Sequence, residues 1–140
     1  MGDKRLILAV AGSGKTRYLI ENLNLEKRFL IVTYTNTSLE LIKNRIIKKF
    51  GYLPKNIKTL TYFEFIYGFC IKPFVLFKYR LKGIYWDKTP EVTSQLKITN
   101  LSRYLTRSRY LYHNRLGKFI ENEGIIDQVR KRLEKFYDYF

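Results

Sequence analysis

The stretch Ala9-Val-Ala-Gly-Ser-Gly-Lys-Thr16 decides how the first part of this chain folds. It follows a short apolar run, Leu6–Val10, typical of a strand buried on both faces, and leads into a helical pattern from Lys15 to about Asn24. Gly12 and Gly14 allow successive backbone N–H groups to converge on an anion without Cβ clashes. The following helix adds its positive dipole end. The stretch therefore predicts a phosphate-binding loop between a strand and a helix.

The residues after the glycines suit ATP with Mg²⁺. Lys15 is placed to reach the β and γ phosphates, and Thr16 to offer its hydroxyl to the metal. Ala9 stands where the general motif has glycine, which leaves the backbone cradle unchanged. The alternative is a chance glycine turn at a strand–helix junction. We predict ATP and Mg²⁺ as cofactors.

Strand-like and helix-like segments alternate through the first half of the chain. Apolar runs at Phe29–Val32 and Ile57–Thr61 predict two further buried strands. The capping-box spacing of Thr37–Glu40 predicts the start of a helix between them, and Gly51 lies where its C-terminal cap belongs. This alternation predicts βαβ units and an α/β fold with a parallel sheet.

The second half has a weaker pattern. A further capping-box spacing at Thr61–Glu64 predicts an aromatic helix that stops near Pro73. Residues 74–100 have no clean period and read as an inserted, partly irregular subdomain. Helices are predicted over 101–122 and 125–136, the second with an apolar face formed by Ile126, Val129, Leu133 and Phe136.

The composition is that of a folded protein. The chain has 140 residues, 46% of them hydrophobic, which suits one compact domain with a buried core. No apolar run approaches the roughly 18 residues of a membrane span, and no signal-peptide pattern is present. The single cysteine, Cys70, excludes a disulfide framework, and neither Cys70 nor His113 has a sequence neighbour that indicates catalysis. We expect a soluble, cytoplasmic protein without a membrane partner.

The positive charge is concentrated in one window. The chain has 27 Lys and Arg against 12 Asp and Glu, and residues 72–118 contribute +9 of the net +15. Aromatic residues lie between these cations, and Arg103 and Arg107 share a face of the predicted helix. Cations that follow a backbone and rings that stack on bases predict nucleic-acid contact. The alternatives are an acidic membrane surface, a solvated basic face, or lysine enrichment from an AT-rich genome.

Two polar segments follow the second and third predicted strands. They read Thr33-Tyr-Thr-Asn36 and Thr59-Leu-Thr-Tyr62. The carboxyl ends of parallel strands are the edge where open α/β sheets bind ligands. Hydroxyls for phosphates and tyrosines for bases suit single-stranded DNA. Each segment is alternatively a good helix N-cap without a ligand.

Together these segments resemble the opening of the UvrD/Rep family of superfamily-one DNA helicases. The phosphate-binding loop is similar to motif I of that family, Thr33–Asn36 to motif Ia, and Thr59–Phe65 to motif Ib, so that residues 6–67 carry the resemblance. Thr37 and Ser38 depart from the family's common lysine and alanine. The resemblance implies a RecA-like P-loop NTPase sheet, incomplete here, with a small basic helical insertion.

The resemblance also assigns residues to two sites. It implies that ATP is bound by Ala11, Gly12, Ser13, Gly14, Lys15, Thr16 and Arg17. It implies that single-stranded DNA runs along Thr33, Tyr34, Thr35, Asn36, Thr59, Thr61 and Tyr62. It further implies three regions: a core over 1–73, a basic insertion over 74–112, and helices that return to the core over 113–140.

The acidic pair needed for ATP hydrolysis is missing. A Walker B aspartate orders the Mg²⁺ shell and an adjacent glutamate positions water, but no Asp-Glu pair occurs in these residues. In the family, that strand follows a helix like Ile125–Phe136, so Tyr139 and Phe140 resemble its first residues. We therefore expect the 140 residues to end just before Walker B and to bind nucleotide without turnover.

The sequence thus predicts the ATP-binding part of a DNA helicase or translocase that acts on single-stranded DNA. Its expected partners are single-stranded DNA and the remaining helicase domains of a longer parent chain. Two alternatives stay open: a P-loop phosphotransferase for a small phosphorylated substrate, and a non-catalytic DNA-binding module. The segment Thr33–Asn36 lacks the acidic residue that a kinase would place there.

Overall fold

Residues 12–140 are described by the computed structural model, so the strand predicted at Leu6–Val10 and the ATP contact predicted for Ala11 lie outside the described residues. The described chain is mixed α/β, with short parallel strand pairs and several helices. It divides into two compact units: the residues up to Tyr62 together with Leu133–Phe140, and Phe63–Arg132. No helix within the described residues combines the length and apolar character needed to cross a bilayer. The predicted region boundaries after residues 73 and 112 stay predictions.

The first unit alternates helices and parallel strands. Helix α1 spans Lys15–Asn22, strand β1 Phe29–Thr33, helix α2 Asn36–Phe50 and strand β2 Ile57–Thr61. The strands pair in parallel, with the first residue of each opposite the first of the other and the last opposite the last. Parallel neighbours need a crossover, and α2 supplies it. The two strand predictions are therefore confirmed.

Mostly aliphatic side chains form the core of the first unit. The buried cluster comprises Ile20, Leu23, Phe29, Ile31, Ile46 and Ile57, with Leu19, Ile42 and Phe50 packed against it. The Lys49 ammonium of α2 donates to three carbonyl oxygens at the end of α1, at 2.6–2.8 Å, those of Ile20, Glu21 and Leu23. A cation is favourable there because the last carbonyls of a helix lack helical partners and carry its negative dipole end.

Helix α2 is capped at both ends, but the predicted capping box does not supply its N-cap. The N-cap is Thr35, whose Oγ1 accepts the backbone N–H of Ser38 at 3.1 Å. The predicted Thr37–Glu40 pair lies inside the helix, because Thr35 already has the extended backbone that an N-cap requires. The predicted C-terminal Gly51 is confirmed: it has φ 82° and donates to the carbonyl of Ile47 at 2.7 Å.

The last residues pair with the edge of β1 that β2 leaves open. Tyr139 forms a parallel bridge to Phe29 and accepts the N–H of Leu30 at 2.9 Å. The carboxylate of Asp138 accepts the Arg28 guanidinium at 2.9 Å and the Arg28 backbone N–H at 2.8 Å. These hydrogen bonds from Arg28 lower the pKa of Asp138 to about 2. Asp138 thus has a structural role in this unit.

The second unit opens with a helical run longer than predicted. A π-helix spans Glu64–Ile71 and passes directly into α3, Lys72–Tyr79. The helical run itself begins at Tyr62, directly after Thr61, the last residue of β2, so Thr61 and Glu64 lie where the predicted capping box places them, and the box stays a prediction. The helix also continues past Pro73. Proline is tolerated there because it occupies the first turn of α3, where a missing N–H costs least.

The helix predicted over 101–122 is wrong up to Arg115 and confirmed only over its last residues, where the chain is helical from Leu116 to Glu123. Strand β4, Tyr110–Tyr112, lies inside that span and pairs in parallel with strand β3, Gly83–Tyr85. The remaining elements are 3₁₀ turns at Glu91–Gln95, Leu101–Arg103 and His113–Arg115, and helix α4 at Leu116–Glu123. Tyrosine and leucine alternate around β4 and favour extended backbone over helix. Residues 80–112 are therefore turns and short strands, and the predicted helical character of the insertion is wrong there.

Aromatic rings fill the core of the second unit. Phe119 on α4 is fully buried, and its ring centroid lies 5.8 Å from those of Tyr79 and Tyr104. Burial raises the pKa of the Cys70 thiol to about 12, so this cysteine stays protonated and packs as an apolar residue. His113 stacks on Trp86 with centroids 6.1 Å apart.

Helix α5 spans Ile126–Phe136, as predicted. Its apolar face is only partly covered: Leu133 is buried, whereas Ile126 and Phe136 are 53% and 43% exposed. The apolar pattern therefore predicts the helix correctly.

Candidate functional site

The glycine-rich turn before α1 contains two glycines within the described residues, Gly12 and Gly14. Gly12 and Gly14 have φ of 78° and 84°, in the left-handed region that a side chain would strain. Within residues 12–140, a Cβ at either glycine would meet no atom within 4 Å. Gly14 is the N-cap of α1, and its carbonyl accepts the first helical bond from Tyr18 at 2.9 Å. The turn therefore ends in a left-handed glycine at the amino end of α1.

The start of α1 is suited to an anion. Its first turn has no acidic residue, and the side chain of Lys15 is exposed while Thr16 is half-buried. Arg17, predicted as an ATP contact, lies along the helix, with its Nε 2.7 Å from a carboxylate oxygen of Glu21. The hydrogen bond that Arg17 donates to Glu21 raises the pKa of Arg17. In this structure, the charge of Arg17 is directed to Glu21.

The turn fits a polyphosphate better than it fits an isolated metal ion. Left-handed glycines and the amino end of a helix are groups that bind phosphate oxygens. Within residues 12–140, no group of three or more His, Cys, Asp or Glu is arranged to hold a metal. Mg²⁺ in nucleotide sites keeps waters and takes ligands from the phosphates. Thr16 is the described side chain of the turn that would complete such a shell.

The two polar segments meet at the carboxyl ends of β1 and β2. Thr33 and Thr61 are opposite each other as the last residues of the paired strands. The next residues, Tyr34 and Tyr62, bring their ring centroids to 5.8 Å with the planes 33° apart. Tyr34 is 70% exposed. The register of the strands thus builds a tyrosine pair at the sheet edge, from residues 28 positions apart in the sequence.

The hydroxyl groups around this pair are mostly engaged in the fold. Thr35 Oγ1 caps α2, and Thr33 Oγ1 donates to the Thr35 carbonyl at 3.2 Å. Thr59 and Thr61 are buried, which leaves little of either side chain for a ligand. Asn36, the first residue of α2, is exposed. Of the predicted DNA path, the surface therefore offers chiefly the tyrosine pair and the start of α2.

Arg103 and Arg107, which were predicted to share a helix face in the basic window, do not lie on one helix. Arg103 Nη1 donates to the carbonyl oxygens of Ser94 at 2.8 Å and Leu96 at 2.5 Å, which fastens two turns together. Arg107 lies in an exposed loop four residues later, and no helix joins the two. Their expected shared helix face is wrong because the 3₁₀ turn ends at Arg103 and residues 104–106 form the first arm of a hairpin.

The segment that replaces this helix is a hairpin over residues 104–112. Tyr112 donates to the Tyr104 carbonyl at 2.9 Å, and Leu105 and Leu111 form an antiparallel bridge. The sequence pattern is typical of a hairpin, because Tyr-Leu-Thr and Tyr-Leu-Tyr flank Arg107-Ser-Arg109, as two strands flank a short loop.

Comparison with known proteins provides no relative for this chain. No family model, curated protein or solved structure matches it. The resemblance to UvrD/Rep helicases rests on the motif residues alone and is a proposal.

Proposed function

We propose that the chain is the nucleotide-binding part of a UvrD/Rep-like helicase that moves on single-stranded DNA. The observation that carries the proposal is the turn at Gly12 and Gly14, which is left-handed at both glycines and leads into a helix beginning with Lys15 and Thr16. A P-loop NTPase needs this combination of backbone and side chains to hold phosphates.

In this proposal, the chain holds ATP through its own backbone and two side chains. The amides at the start of α1 bind phosphate oxygens, Lys15 neutralises the β and γ phosphates, and Thr16 contacts the accompanying Mg²⁺. Because no aspartate is followed by glutamate anywhere in the sequence, the 140 residues bind nucleotide without hydrolysing it.

Single-stranded DNA is proposed to cross the carboxyl ends of β1 and β2. The ring of Tyr34, which is 70% exposed, stacks on a base, and the ring of Tyr62 lies 5.8 Å from it. The amino end of α2, which has no acidic residue in its first turn, suits a backbone phosphate.

The nucleotide site is tested by titrating the chain with a fluorescent ATP analogue in the presence of Mg²⁺. Lys15→Ala is expected to abolish binding, because it removes the cation that neutralises two phosphates. Lys27→Ala, an exposed lysine outside the turn, is the matched control and should bind as the wild type does. Equal binding by wild type and Lys15→Ala would contradict the nucleotide site, and steady phosphate release by the wild type would contradict binding without turnover.

A further inference from the structure

Two helices of the second unit end in the same motif with different residues. At the end of α4, Gly124 has φ 68°, its N–H donates to the carbonyl of Glu121 at 3.1 Å, and the N–H of Ile125 donates to Ile120 at 3.4 Å. Ile125 is buried. This is the Schellman arrangement, in which glycine usually occupies the left-handed position.

At the end of α3, the left-handed position is occupied by arginine. Arg80 has φ 52°, its N–H donates to Phe77 at 3.4 Å, and the N–H of Leu81 donates to Leu76 at 3.0 Å. Leu81 is buried, as Ile125 is at the other helix end. The same cap therefore forms with a residue that the left-handed backbone disfavours.

A second arginine has the same disfavoured backbone. The 104–112 hairpin has a three-residue loop, in which Arg109 has φ 71° and donates to the Thr106 carbonyl at 3.0 Å. Such loops place a left-handed residue, normally glycine or asparagine, at this point. Among residues 12–140, Arg80 and Arg109 are the only non-glycine residues with positive φ.

A backbone hydrogen bond joins the segments that carry Arg80 and Arg109. The N–H of Lys82, two residues after Arg80, donates to the Arg109 carbonyl at 2.9 Å. Arg80, Lys82, Arg107 and Arg109 are all exposed, and we call these four residues the basic corner. No ion pair within the described chain involves any of the four. The two loop arginines also line a shallow pocket with Ser102 and Thr106.

We propose that the basic corner binds the phosphate backbone of nucleic acid, independently of base sequence. At Arg80 and Arg109, glycine would adopt the left-handed backbone without strain, yet both positions carry a guanidinium group. Guanidinium groups bind phosphate oxygens in a bidentate way, and strained backbone is concentrated at functional sites. The inference rests on the proposed function only for the identity of the ligand, and it adds a contact in the second unit.

The test is a double variant with opposite expected effects on stability and binding. In Arg80→Gly/Arg109→Gly, the melting temperature should rise or hold, because glycine accepts the left-handed backbone. Binding to a labelled 20-nucleotide oligothymidylate at low salt should weaken by about tenfold, and the salt slope should fall by about 1.4, the value for two lost phosphate contacts on a single strand. A 20-base-pair duplex in parallel shows which form of backbone is preferred.

The control is Lys55→Gln/Lys131→Gln, which removes the same charge from exposed positions outside the basic corner. Equal losses in both double variants would overturn the proposal, because bulk charge would then explain binding. A melting temperature that falls together with affinity would also overturn it. If Tyr34→Ala weakens binding and the glycine variant does not, the basic corner fails while the proposed function stands. The reverse result supports the basic corner and removes the DNA path of the proposed function.

Discussion

The cores of the two compact units consist of different kinds of side chain. In the first, mostly aliphatic residues on α1, α2, β1 and β2 form one cluster around the fully buried Ile46. In the second, Phe119 contacts the rings of Tyr79 and Tyr104, which come from a helix end and a turn. Branched aliphatic side chains fill a core when regular elements stack them, whereas a large ring can join irregular segments.

The strongest test of this difference is Phe119→Ala. The substitution leaves a cavity among Tyr79 and Tyr104, and we expect a loss of about 3–5 kcal/mol in the free energy of unfolding. Urea denaturation followed by the fluorescence of Trp86, the single tryptophan and a member of the second unit, measures it. Phe77→Ala is the matched control, since that ring is 91% exposed and its removal should change stability by less than about 0.5 kcal/mol. A loss below about 1 kcal/mol for Phe119→Ala would contradict a core that depends on one ring.

The next effect concerns binding at the first unit. Tyr34→Ala removes the exposed ring of the tyrosine pair and should weaken binding to oligothymidylate by about 1–3 kcal/mol, the usual value of one stacked base. Fluorescence anisotropy gives the dissociation constants. Tyr52→Ala, a tyrosine 55% exposed beyond the end of α2, should bind as tightly as wild type. Equal affinities for the two variants would place the DNA elsewhere.

The smallest effect is the pH dependence of the Arg28–Asp138 contact. The pKa of Asp138 is lowered to about 2 in the folded chain by its hydrogen bonds from Arg28, so the ionised carboxylate stabilises the fold. That stabilisation is complete above the unfolded value of about 4 and is lost as the pH falls toward 2. Asp138→Asn should therefore be less stable than wild type at pH 6, with a difference that shrinks on acidification, as circular dichroism can measure. Glu134→Gln, an exposed carboxylate of α5, serves as control, and an Asp138→Asn difference that grows toward low pH would contradict the assignment.

The predictability of the structure follows the same division. In the first unit, short apolar runs predict β1 and β2, and the pattern between these runs predicts the helix. Gly51 predicts where that helix ends. The error at its start is local: Thr35 and Thr37 both have capping side chains, and only the backbone of Thr35 is extended.

The second unit is predicted less well because the interactions that shape it leave no periodic pattern in the sequence. Pro73 signals a helix end, yet the π-helix before it lets the chain continue. Arg103 has the charge of a surface residue and is used to join two turns. For the candidate site, the sequence predicts the glycine turn and the sheet edge. It does not reveal that Thr59 and Thr61 are buried or that Arg80 and Arg109 are left-handed.

The burial of Cys70 makes this thiol a natural probe of local opening in the second unit. The sequence has a single cysteine, its side chain is buried, and its thiol is protonated at neutral pH because its pKa is about 12. Alkylating reagents attack thiolates, so modification has to wait for a transient opening of the π-helix that carries this residue. The rate of labelling in native buffer therefore reports how often this part of the molecule opens, without denaturant and without any introduced probe.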